Sequence, residues 1–242
     1  TASYEVQDGM FKRLAFFVEK KGWTGTIPTF DAIAGLHGFN AHDYRAEDLA
    51  RFFATAERMG VDLHPGEQRL LAILLAAGVV ERAHGSLRGV EGGALSISRS
   101  STTELRRRFL THEALHGLYF SSERFRAGAA AVWDSRPAEL KEFFRLYLSW
   151  PDWSYDLDNP YLLVNEFMAY LLQYPEDRAL AELYDRGVVW LEGRFPARTA
   201  WLQGFRRDGR AMLLDAYRSL EALLRRETGL AGGNLAIVRV VR

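Results

Sequence analysis

The residues His112-Glu113-Ala114-Leu115-His116 acquire a chemical reading as soon as the chain around them is helical. Side chains four apart lie one turn apart on the same helix face, so the two imidazoles would point at a common spot. Ser101-Thr102-Thr103-Glu104 just upstream has the capping-box pattern, with Ser and then Glu three residues on. That predicts a helix from there to about Leu115 or Tyr119. Leu105, Phe109, His112, His116 and Tyr119 follow one another at helical spacing and form a single stripe, apolar at its start. The stripe turns the histidines inward.

Two inward histidines beside a carboxylate can be core residues satisfied by hydrogen bonds, or metal ligands. Burying them without partners costs several kcal/mol, and a metal ion removes that penalty. Imidazole nitrogens bind zinc at ~2.0–2.1 Å, and Glu113 sits beside them as a carboxylate that could hold the metal-bound water. A catalytic zinc takes three protein ligands and keeps one position open. The chain has no cysteine, its other histidines (His37, His42, His64, His84) all precede the motif, and Ser122 stands where a metzincin has its third histidine. A carboxylate is then the expected third ligand. Glu166 is the best candidate, in Leu162-Leu163-Val164-Asn165-Glu166-Phe167-Met168-Ala169-Tyr170-Leu171-Leu172, a helix apolar nearly all round. An ionised glutamate there needs a partner or a raised pKa, unless it faces solvent or an arginine.

HEALH at 112–116 followed by Asn165-Glu166-Phe167-Met168-Ala169 resembles the gluzincin metallopeptidases, which combine HExxH with a downstream glutamate in an NExxA or NExxS context. The resemblance covers residues about 94–173. It implies a zincin-like fold, zinc as cofactor, and His112, His116 and Glu166 as its ligands. It also implies a peptide or protein substrate, hydrolysed by a metal-activated water with Glu113 as general base. The chain departs from the thermolysin-like pattern in its longer spacing between His116 and Glu166. It departs again at Tyr170, where those enzymes carry an aspartate. The oxyanion of such a reaction needs a donor beyond the metal. Tyr155, Tyr161, Tyr170 and Tyr119 are available. Tyr155 and Tyr161 are favoured because their loop leads straight into the Glu166 helix, although any of the four can equally be packing. Asn165 could orient a ligand or face solvent.

The rest of the chain predicts an α+β protein, mainly helical, with a small sheet before the HExxH helix. Helices are expected from an Asp8 cap to about Lys21, over 45–59, 65–77, 122–133, 137–149 and 160–173, and onward to about Thr228. Strands are expected at Ala94–Arg99, with one solvated face, and at Ala236–Val241; the glycine-rich stretch 78–93 reads as turns and short strands. A change of texture near residue 90 divides an N-terminal, mostly helical region (1–90), a possible cover for the cleft, from a zincin-like catalytic region (91–242). Asn40 to Arg45 is a polar cluster that reads as the cap of the helix after it, and His64-Pro65 opens the next.

Thirty-one basic residues balance 31 acidic ones, so no overall field calls for nucleic acid. No apolar run approaches the ~20 residues of a membrane span. Four lysines against 27 arginines point to a GC-rich, bacterial source. The chain opens on Thr1, an engineered boundary or a processing site, and nothing separates a cytoplasmic protein from an exported one. Two alternatives accompany the peptidase reading. One is a metal-binding or catalytically silent zincin fold acting through interactions. The other, more remote, is a di-iron carboxylate protein using Glu113/His116 and Glu81/His84 as its paired ExxH motifs.

Overall fold

The computed structural model describes residues 1–150 and 155–233, and its regular structure is mainly helical with two antiparallel sheets of two strands each. The expected strand at 236–241 lies outside the described residues. Two compact units divide at Phe109/Leu110, inside a continuous helix.

The first unit comprises Thr1–Phe109 with Tyr155 and Asp156. Helix α1 (Tyr4–Glu19) is capped by Ser3, whose Oγ accepts from the Val6 N–H at 3.3 Å. Asp8 is thus not the cap; it lies a turn inside the helix, paired with Lys12 at 3.7 Å. Strand β1 (Ala41–Arg45) leads directly into α2 (Ala46–Met59), which ends on left-handed Gly60. Helix α3 (Pro65–Ala76) begins at His64, whose Nδ1 accepts from the Gly66 N–H at 3.1 Å while Glu67 accepts from the His64 N–H at 2.9 Å. α1 and α3 cross closely: a Cβ on Gly66 would lie 2.3 Å from the Gly9 carbonyl oxygen. Phe11, Leu14 and Phe17 of α1 pack with Leu49, Phe52 and Phe53 of α2 and with Leu70 and Leu74 of α3. Beneath this core Arg13 and Glu67 form a buried ion pair, Arg13 Nε donating to Glu67 Oε1 at 2.8 Å.

Strands β2 (Val80–Ala83) and β3 (Ser86–Gly89) form a hairpin whose turn takes His84 to a φ of 52°. Strand β4 (Gly93–Ile97) pairs antiparallel with β1, Ala41 opposite Ile97 and Arg45 opposite Gly93. The polar cluster at 41–45 is therefore a strand whose last residue, Arg45, is the cap residue of α2 without a side-chain cap bond, and the texture change at residue 90 falls between β3 and β4, which belong to separate sheets. The faces of β4 also invert the expectation. Ser96 and Ser98 are buried, Ser96 accepting from Gln7 Nε2 at 3.2 Å, while Leu95 is 42% exposed. Helix α4 (Thr103–Ser121) starts one residue later than its capping box suggests. Thr102 Oγ1 accepts from the Leu105 N–H at 3.2 Å, while Ser101 is taken up by the Tyr4 hydroxyl at 2.7 Å.

The second unit comprises Leu110–Trp150 and the described part of Leu157–Arg242. After α4 come α5 (Glu123–Asp134), capped by Ser122, and α6 (Ala138–Leu148). Helix α7 (Pro160–Leu172) starts as the sequence predicts, Asn159 Oδ1 accepting from the Tyr161 N–H at 3.0 Å with Pro160 in the first turn. α8 (Glu176–Leu180) runs through a π-helical turn (Ala181–Arg186) into α9 (Gly187–Arg194). The long α10 (Thr199–Thr228) lays a stripe of Leu202, Phe205, Leu213, Ala216, Leu220 and Leu224 against this bundle. Gly128 of α5 lets α10 approach, since a Cβ there would meet Leu223 Cδ1 at 2.6 Å. Phe167 of α7 has Trp133 and Phe144 edge-on at 4.9 Å each, so the helix carrying Glu166 is clamped from two sides.

Candidate metal centre

All three expected ligands lie in the second unit, on α4 and α7. His112 and His116 stand one turn apart, their rings nearly perpendicular with centroids 4.6 Å apart. Glu166 reaches both. His112 Nε2 is 3.5 Å from Glu166 Oε2 and His116 Nε2 is 3.8 Å from Glu166 Oε1. Three donors bound tetrahedrally at ~2.0–2.1 Å would be roughly 3.3 Å apart, close to this spacing. His116 and Glu166 are buried, and His112 keeps 9% of its surface exposed.

The protonation state suits a ligand set. Burial drives the His116 pKa down to about 4, outweighing the opposing pull of Glu166, with His112 lowering it further and Asn165 raising it. The His116 ring is then neutral at pH 7, and its approach to Glu166 is a contact between a carboxylate and a neutral imidazole. Two imidazoles and one carboxylate are the donor set of a hydrolytic zinc. These residues fit the metal that the motif implies.

Glu113 is buried beside the ligands, with a carboxylate oxygen within 4.8 Å of a ring nitrogen of His116. The four tyrosines have different surroundings. Tyr161 packs edge-on against Tyr119 at 5.1 Å, and burial, then the neighbouring Tyr161, push the Tyr119 phenol pKa up. Tyr155 belongs to the first unit, where its ring stacks on Phe39 at 5.4 Å and its backbone bridges to Lys20. Tyr170 is brought to the ligands, edge-on to His112 with centroids 4.9 Å apart. Its signal in the sequence was the four-residue step from Glu166, one turn along the same helix face.

The other histidines are in the first unit. His64 caps α3, and His42 lies 3.1 Å from the Tyr44 hydroxyl through Nδ1. Glu81 and His84 sit on a strand and its turn, with Glu81 bonded to Arg88, and not on the helix that a di-iron ExxH pair requires. Family models, curated proteins and solved structures offer no match to this chain.

Proposed function

We propose that this protein is a zinc-dependent hydrolase of peptide bonds. The observation that carries the reading is the convergence of His112, His116 and Glu166 from two helices, with Glu113 buried alongside. His112 Nε2, His116 Nε2 and the Glu166 carboxylate would hold the ion. Bound zinc supplies Lewis acidity, lowering the pKa of water toward ~7 and polarising a carbonyl. Glu113 accepts the proton of the attacking water on its carboxylate and returns it to the departing amine. The neutral state of His116 keeps its nitrogen lone pair available at physiological pH. The substrate is a peptide or protein.

Element-resolved analysis of protein purified without nickel columns or added metal tests the centre, with about one zinc per chain expected. Glu113→Gln then separates catalysis from binding. It should keep zinc and lose peptide hydrolysis by at least about 100-fold. Zinc without turnover in the wild type would leave a metal-binding interaction protein. Two irons per chain would favour the di-iron alternative.

A further inference from the structure

We propose that Tyr170 is a positioning residue for this centre, its ring bracing the His112 imidazole so that Nε2 points at Glu166; the proposal rests on the metal-centre reading above. Both histidine ligands are buried, His116 at 1% exposure and His112 at 9%. The Tyr170 ring meets the His112 ring at 76° and 4.9 Å between centroids, the edge-to-face arrangement that aromatic pairs prefer. Helix α7 supplies both ligand and brace. Glu166 and Tyr170 are one turn apart, so one rigid element sets the carboxylate and the ring that orients its partner.

Tyr170 is itself held from behind. Tyr147 of α6 meets it edge-on at 5.5 Å. Gly187, at the junction of the π-helical turn and α9, lies under Tyr147, where a Cβ would stand 3.6 Å from Tyr147 Cε2. Packing thus runs from the bundle through Tyr147 and Tyr170 to His112. Groups that orient ligating histidines typically change metal affinity by about 10–100-fold when removed.

The test is zinc affinity of the full chain, measured by competition with a chromogenic chelator, for wild type, Tyr170→Phe and Tyr170→Leu. Tyr170→Phe keeps the ring and should bind as wild type does. Tyr170→Leu keeps apolar bulk without the ring and should bind at least about tenfold more weakly. Cobalt-loaded wild type and Tyr170→Phe should share one visible d–d spectrum, and Tyr170→Leu should shift it. Wild-type affinity in a folded Tyr170→Leu, or an equal loss in Tyr170→Phe, overturns the proposal. If Tyr170→Leu does not fold, Tyr147→Leu decides, since it leaves Tyr170 present but unbacked. A measurable loss of affinity there supports the brace and none overturns it. A wild-type chain that binds no zinc overturns the metal centre itself, a result distinct from an indifferent Tyr170.

Discussion

Glu166 stands fifty positions after His116 in the chain, yet its Oε1 lies 3.8 Å from His116 Nε2 and its other oxygen 3.5 Å from His112 Nε2. A buried carboxylate that meets two imidazoles, one on each oxygen, could share an ion with them. Replacing Glu166 with Ala should leave two ligands and lower zinc affinity by more than about 100-fold, beyond the losses seen when only a ligand's supporting group is removed. Equilibrium dialysis with zinc measures this directly. Stoichiometric retention of zinc by Glu166→Ala would remove Glu166 from the ligand set.

Glu166 was legible because an ionisable group in a helix apolar on all sides must be compensated, and few partners were available. Three helix ends were legible for a local reason, since Asn159-Pro160, His64-Pro65 and Gly60 act within their own turns, whereas α1 is capped by Ser3 and not by Asp8. Strand β1 was not, because Ala41–Arg45 is a strand only through its pairing with β4, some fifty residues on. The inverted faces of β4 depend likewise on the Gln7 amide reaching Ser96 from α1. Of the two favoured tyrosines, Tyr161 lies not in the loop but in the first turn of α7, the helix that carries Glu166.

Acid should destabilise the metal-free protein through two buried histidines. Burial lowers the His42 pKa from 6.5 to about 3, helped by Lys20 and His37, and that of His116 to about 4. Both folded pKa values lie below the unfolded value, so the unfolded chain binds more protons between them. The stability is therefore fully present above pH 6.5 and is lost as pH falls toward 4 and then 3. Each histidine contributes a slope of at most about 1.4 kcal/mol per pH unit. Urea denaturation of the chelator-treated protein from pH 8 to pH 4 should show this decline. His42→Phe, which preserves the stack on Phe11, should flatten it. An unchanged slope in that variant would mean that His42 titrates normally.

The Arg13–Glu67 pair ties α1 to α3 beneath the core, and both side chains are buried. Arg13 also donates to the Asp62 carbonyl at 2.9 Å, and Glu67 completes the cap of α3 at His64. Arg13→Met should cost about 3–5 kcal/mol, because it leaves Glu67 buried as an uncompensated charge. Arg13→Met with Glu67→Gln should recover part of that loss, since the stranded charge is gone while an amide still reaches the cap. Denaturant midpoints of the two variants decide the matter. Equal stability of the single and double variants would show that the cost lies in lost packing by the arginine stem and not in the charge.

Phe167 separates packing from ligation at the centre. It follows Glu166 directly in α7, about 100° further round the helix, and is fully buried with Trp133 and Phe144 against it. Removing its ring leaves a cavity in the bundle and deletes no donor atom. Phe167→Ala should therefore cost about 3–5 kcal/mol of stability. At a temperature where the variant remains folded, it should still take up about one zinc per chain. Calorimetry of the metal-free protein gives the first quantity and dialysis with zinc the second. Loss of zinc from a folded Phe167→Ala would mean that the clamp on α7, and not the donors alone, sets the reach of Glu166 to the two histidines.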